Sequence, residues 1–282
     1  MDMDTLPITL PRFLPGWVWL AGAGPGDPGL LTLYALHALR SADVVVYDAL
    51  VGEQVLKLAQ SGCVLEYAGK RGGKPSPKQA DISRRLVQLA HDGKRVLRLK
   101  GGDPLVFGRG AEEGLALVEA GVPFRIVPGI TSGIGGLAYA GIPVTHRDIN
   151  SMVTFMTGHS AVGEVPGIDW EAIARGSPVI VVYMALTHIS EIAECLLTHG
   201  RSPEEPVAIV SKASTPTQLV VESTLASCAA DARAHAVEPP SLLVVGEVVR
   251  LRAGLDWLGA SLGRVLKADP LATETARRPL KP

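Results

Sequence analysis

Short apolar runs alternate with stretches of helical spacing along most of the chain. VWLAG (18–22), VVVYD (44–48), CVLEYAG (63–69), RVLRLKGG (95–102) and FRIVPG (124–129) read as strands. Between them residues 30–41, 53–59, 76–91 and 112–120 carry apolar side chains at helical spacing, and 131–139 does so after the last strand. Strands joined through helices predict right-handed crossovers and a mostly parallel sheet.

The rhythm changes after Ile142-Pro143. VTFMTG (153–158), PVIVVYM (178–184), PVAIVSKAS (206–214), QLVVES (218–223) and SLLVVGEVV (241–249) read as strands, with helices over 169–175, 187–198 and 225–234. Too little chain separates 206–214 from 218–223 for a crossover helix, so these two pair antiparallel and the second sheet is mixed. The expected organisation is an extension (1–16), two α/β domains (17–146 and 147–262) and a flexible polar tail (263–282).

In open parallel sheets ligands gather at the carboxyl ends of strands. Those ends carry Gly24-Pro25-Gly26-Asp27, Tyr47-Asp48, Gly69-Lys70-Arg71, Gly101-Gly102-Asp103-Pro104 and Pro128-Gly129. Together they predict a ligand-binding rim. Its first turn, GAGPGDPGLLT (22–32), has the look of a phosphate loop between a strand and a helix. The details oppose that: Asp27 holds the place of the third glycine, and Pro25 and Pro28 have no N–H to offer. The turn is built for close approach to a ligand, but not to a pyrophosphate.

Composition narrows the partners. Hydrophobic residues make up 47% of the 282, mostly in interrupted runs, so strands buried on both faces are affordable and no membrane span or secretory leader is indicated. We read a soluble cytoplasmic protein. Three cysteines without a C-x-x-C indicate neither a disulfide framework nor a zinc knuckle, and His146 and His159 have no second ligand at metal spacing, so no metal is expected. A net charge of −1 gives no general attraction to nucleic acid or membrane.

Taken together, GAGPGDPGLLT (22–32), DALV (48–51), GKRGGKPSPKQ (69–79), LKGGDPLVFGRG (99–110), VPGITSGIGGLAYAGIPVTHR (127–147), TGH (157–159), VVYMAL (181–186) and PPSLLVVGEVV (239–249) resemble the uroporphyrinogen-III C-methyltransferases of the tetrapyrrole methylase family. The resemblance implies two α/β domains with S-adenosylmethionine in a cleft between them, S-adenosylhomocysteine as product, and a homodimer. It further implies methylation of uroporphyrinogen III at C2 and C7 to precorrin-2 through precorrin-1. Departures lie at Ser132-Gly133, where the family often has Ala, at Ala185, where Gly is usual, and at Ala213-Ser214-Thr215, which replaces Gly-Thr-Thr. Two other functions stay open: a methylase of the same fold acting on a later corrin precursor, and a non-catalytic nucleotide- or NAD-binding module.

Residue by residue, the resemblance places the cofactor against Pro25, Gly101, Gly102, Asp103, Val106, Thr131, Ser132, Met184, Ala213 and Ser241. Asp48 is the candidate base, with a helix N-cap as its alternative role, and Lys70 the candidate proton donor. Arg109 stands with the catalytic group as a binding or charge-stabilising residue, since an arginine is a poor base. A substrate with eight carboxylates explains the local cations Lys70, Arg71, Lys74, Lys78, Arg109 and Arg147, with Met184 also against it.

Overall fold

The computed structural model describes residues 7–69, 79–159 and 165–271. The chain forms two compact units, Met1–Ser132 and Gly133–Pro282.

The first unit is built on β1 (Val18–Gly22), α1 (Leu33–Ser41), β2 (Val44–Tyr47), α2 (Glu53–Leu56), β3 (Val64–Tyr67), α3 (Gln79–His91), β4 (Val96–Lys100), α4 (Gly110–Glu119) and β5 (Phe124–Val127). Its sheet has the order β3-β2-β4-β1-β5 with every pair parallel. Helices cover both faces: Trp19, Ala21, Leu97 and Leu99 pack with Ala38 and Leu39 of α1, while Val18, Leu20 and Val96 pack with Leu86 of α3 and Leu117 of α4. Burial on both faces is why β1 and β2 are apolar at every position rather than at alternate ones. The chain winds outward from β1 through β2 to β3, then returns to place β4 between β2 and β1. The carboxyl ends of β1 and β4 therefore lie side by side where the winding reverses, the usual position for a ligand crevice.

The second unit opens within α5 (Ser132–Tyr139) and continues with β6 (Thr154–Thr157), α6 (Trp170–Gly176), β7 (Ile180–Tyr183), α7 (Ile189–Thr198), β8 (Pro206–Ser211), β9 (Leu219–Thr224), α8 (Cys228–Ala234), β10 (Ser241–Val245), α9 (Arg252–Leu255) and α10 (Trp257–Ser261). Its sheet, β6-β7-β10-β8-β9, is mixed: β6 is parallel to β7, and the other neighbours are antiparallel, including the expected β8–β9 pair. Ile180, Val182, Val207, Ile209, Leu243 and Val245 form one core with Ile192 and Leu196 of α7 and Cys228 of α8.

One expectation is corrected here. The run 241–249 is not one strand: β10 stops at Val245, Gly246 turns the chain at φ 137°, and Glu247–Leu251 winds into a 3-10 helix. After Leu262, Arg264 bonds Asp256 and Glu222, and the Lys267 N–H donates to Ala253 O.

Carbonyl groups at a helix C-terminus have no partners inside the helix. Three around the end of α5 are met by side chains: Ala138 O accepts from Trp257 Nε1 at 3.0 Å, Tyr139 O from Gln218 Nε2 at 3.1 Å, and Ala140 O from Arg252 Nη1. At the other end, the Gly133 N–H donates to the Tyr183 hydroxyl at 2.9 Å. A Cβ on Gly133 would stand 2.3 Å from that hydroxyl oxygen. The Ser132-Gly133 departure from the family pattern thus makes room for Tyr183.

Candidate functional site

Three loops meet at the carboxyl edge of the first sheet, those after β1, β4 and β5. Gly24 and Gly102 bridge each other, N–H to carbonyl, at 3.2 and 2.7 Å, and the Ala23 N–H donates to Lys100 O at 2.7 Å. Gly22 and Gly129 are glycines because a Cβ on either would lie within 2.3 Å of Gly102 O. Gly24 and Gly102 have φ of 75° and 65°, which only glycine adopts without strain.

Asp103 is the strut of this assembly. Its Oδ1 accepts from the Leu105 N–H at 2.8 Å and its Oδ2 from the Gly129 N–H at 3.0 Å, joining the loop after β4 to the loop after β5. Asp103 therefore has a role within the protein's own turns, and each carboxylate oxygen keeps a lone pair for a second donor. Val106 closes a turn, its N–H donating to Asp103 O at 3.3 Å, and Thr131 is buried close behind Gly102, 3.7 Å from where a Cβ there would stand. Gly101 makes its close approach to Leu50, whose Cβ would be 2.5 Å from an added Cβ. That glycine is required by the neighbouring turn of the protein itself.

The first turn uses up its own donors. The Ala23 and Gly24 N–H groups are spent on β4 and its loop, Asp27 Oδ1 takes the Gly29 N–H at 2.7 Å, and Pro25 and Pro28 have none. Little is left to cradle a phosphate, whereas backbone carbonyls and apolar ring faces suit a nucleoside without one.

Asp48 lies on the same edge, after β2. It does not cap α2, whose N-cap is Gly52; instead Oδ1 accepts from the Leu50 N–H at 3.0 Å and the Gly101 N–H at 3.4 Å. Among the described residues Oδ2 takes no hydrogen bond. The carboxylate is half-buried, positioned by two backbone donors, with one oxygen left for chemistry. Arg109 stands at φ 59° before α4 and points along it, bonded to Glu112 at 2.9 and 2.6 Å. Glu112 raises its guanidinium above the ordinary arginine range, so it remains a cation. Arg109 and Glu112 line a groove of about 680 Å³ between α3 and α4, together with Gln79, Ser83 and Arg84. Lys70, Arg71, Lys74 and Lys78 lie outside the described residues.

In the second unit, the antiparallel β10 brings its first residue, Ser241, level with Ser211 at the end of β8, one strand from Tyr183 at the end of β7. Met184 follows β7 at φ 55° and is half-exposed; Gly158 packs behind it, since a Cβ there would be 2.8 Å from Met184 O. Ala213 is buried between two left-handed residues, Lys212 at φ 47° and Ser214 at φ 57°. Met184, Ala213 and Ser241 thus share one edge of this sheet. Arg147 is exposed in the turn closed by His146 and Asn150, where the His146 N–H donates to Asn150 Oδ1 at 2.9 Å. His146 and Arg147 are apart from that edge in sequence and element, and among the described residues no three His, Cys, Asp or Glu side chains cluster as metal ligands would.

Among the described residues six that are not glycine have positive φ: Phe107, Arg109, Met184, Lys212, Ser214 and Ala236. Each such backbone costs of order 1–3 kcal/mol and persists only where the surrounding structure holds it in place. Sequence reasoning missed the buried ion cluster behind the rim. Arg98, Lys100 and Glu113 are at most 3% exposed, and Glu113 Oε1 accepts from Arg98 Nε at 3.0 Å, Lys100 Nζ at 3.1 Å and Gln79 Nε2 at 2.9 Å. The available signal was two cations at alternate positions of a central strand, RLK, which point to one face of the sheet.

Fold and site together define an α/β enzyme class, and comparison gives its family. Residues 18–229 match the tetrapyrrole (corrin/porphyrin) methylases, and the chain belongs to that family. It is 66% identical over 278 residues to a uroporphyrinogen-III C-methyltransferase from a Sinorhizobium species, covering 98% of this chain and 99% of that one. A siroheme synthase from Acinetobacter baylyi is 47% identical over 243 residues, and the chain spans about half, 53%, of its length. Among solved structures, uroporphyrin-III C-methyltransferase from Thermus thermophilus, complexed with S-adenosyl homocysteine, superposes with a TM-score of 0.71 at 43% identity, covering 83% of this chain and 99% of that one.

Proposed function

We propose that this protein is a methyltransferase that moves two methyl groups from S-adenosylmethionine to C2 and C7 of uroporphyrinogen III, forming precorrin-2 by way of precorrin-1 for cobalamin or sirohaem. The observation that carries the reading is 66% identity across 98% of the chain to a uroporphyrinogen-III C-methyltransferase, in a protein whose rim is built for a nucleoside without phosphates.

S-adenosylmethionine supplies a methyl group already activated on a sulfonium, so the protein's task is mainly to hold the reacting atoms in line. Such positioning contributes on the order of 7–11 kcal/mol. Pro25, Gly101, Gly102, Asp103, Val106, Thr131 and Ser132, with Met184, Ala213 and Ser241, are the proposed cofactor contacts. Asp48 takes the proton that leaves the macrocycle after methylation: its Oδ1 is fixed by two N–H groups and its Oδ2 is available. Lys70 is the proposed proton donor. Arg109 and Arg147, with Lys70, Arg71 and Lys74, bind substrate carboxylates, each charge-assisted bond contributing about 1.5–3 kcal/mol. Arg109 has to exchange Glu112 for the substrate, an inexpensive step because that pair is more than half exposed.

A cytoplasmic homodimer that acts on a small tetrapyrrole, not on nucleic acid or membrane, completes the proposal. A net charge of −1 is in keeping with it, and no described helix is long and apolar enough to cross a membrane. Anaerobic incubation of the purified protein with uroporphyrinogen III and S-adenosylmethionine tests the reading by mass spectrometry. A product two methyl groups heavier is expected; unchanged substrate would overturn it.

A further inference from the structure

Lys100 is the last residue of β4, next to the Gly101 N–H that donates to Asp48. Its side chain runs beneath the Pro104–Gly110 loop, with Cε 3.4 Å from where a Cβ on Gly108 would be, and ends 3.1 Å from Glu113 in the first turn of α4. One ion pair thus joins the two ends of the loop that carries the left-handed Phe107 and Arg109.

The cluster is a poor device for stability alone. Two cations, Arg98 and Lys100, share one carboxylate, leaving a net positive charge in the interior, and Glu113 Oε2 has no hydrogen-bond partner among the described residues. Burying charges in this way is expensive, and apolar replacements of similar volume are often neutral or stabilising. Arg98 has a structural task, since it also donates to Val46 O and Leu99 O at 3.3 Å. The Lys100 ammonium goes instead to Glu113 on α4.

We propose that Lys100 is a positioning residue for methyl transfer: through Glu113 it holds the Pro104–Gly110 loop behind the rim. Burial pushes its ammonium below the usual lysine range, assisted by Arg98, while Glu113 and Asp48 pull it back. It is a charge kept in the interior by the groups it orients. The inference rests on the reaction proposed above.

Lys100→Met removes the charge at similar volume and leaves Glu113 bonded to Arg98 and Gln79. Its melting temperature and its affinity for S-adenosylhomocysteine should match the wild type, whereas kcat with uroporphyrinogen III should fall by about tenfold to a hundredfold, the size expected of a misplacement near 1 Å. KM should change far less than kcat. Turnover within twofold of wild type would overturn the proposal, as would a loss of cofactor affinity and melting temperature in step with turnover, which denotes a merely structural role. If Lys100→Met does not fold, Lys100→Leu, which also removes the bond to Glu113, is judged by the same criteria. Wild-type protein that fails to methylate uroporphyrinogen III overturns the reaction itself and this proposal with it; an active wild type and an active variant overturn this proposal alone.

Discussion

Gly22 and Gly129 meet backbone to backbone where β1 and β5 end: a Cβ on Gly22 would stand 2.6 Å from Gly129 Cα, and one on Gly129 would stand 2.2 Å from Gly102 O. Three loops thereby close on one another with no side chain between them. Gly129→Ala should separate them, reducing stability by roughly 2–4 kcal/mol, in the range of severe overpacking. Affinity for S-adenosylhomocysteine should fall with it. Denaturant unfolding and calorimetry check both.

Asp48→Asn isolates charge from geometry. The amide oxygen can still accept from Leu50 and Gly101, so fold and cofactor affinity should be retained. Turnover should fall by about 10²–10⁴, the usual contribution of a general base. Steady-state assays with wild-type turnover would leave Asp48 with only its role in bracing the loop.

Asp43 links β2 to β4 at the opposite end of the sheet, accepting from Arg95 N, Nε and Nη2 at 2.8, 3.1 and 2.6 Å. The Arg95 side chain holds its carboxyl below the ordinary value of 3.8. A lowered carboxyl stabilises the fold above its unfolded pKa and loses that contribution as pH falls through its folded pKa. Melting temperature should therefore decline below about pH 4 more steeply in the wild type than in Asp43→Asn. Parallel acid limbs in thermal melts would show that Asp43 does not contribute.

Arg252 is buried among Ala140 O, Glu222 and Asp256. Its Arg252→Ala variant leaves Ala140 O and the buried face of Asp256 short of a partner, though Arg264 still reaches Asp256 at 2.8 Å. A loss of about 3–5 kcal/mol is expected, as for other broken buried pairs. Chemical denaturation measures it; a cost below 1 kcal/mol would mean that Arg264 and water replace it.

Much of this was legible in the order of residues. VVVY and VWLAG are apolar at every position because both faces of a parallel sheet are covered, and that pattern is local. The short link between β8 and β9 forced their antiparallel pairing. Pro25, Asp27 and Pro28 argue against a phosphate loop from the sequence alone, because a missing N–H and a carboxylate are properties of the residues themselves.

Tertiary structure decided what depends on distant partners. GGDP reads as a ligand turn, yet Asp103 is also the strut to Gly129, 26 residues away, and Gly101 is glycine because Leu50 covers it. Nothing local indicates that the charges in VLRLK are buried, since strand alternation assigns Arg98 and Lys100 to one face without saying whether that face meets water or α4. Likewise the Glu247–Leu251 turn reads as more strand until Gly246 bends the chain. Periodicity is set by each residue's own backbone and hydrophobicity, so the chain alone determined its elements, its two-unit rhythm and the chemical character of its rim. Burial, close approach and ion pairing depend on which segments the fold brings together, and only folding could place Lys100 beneath that rim.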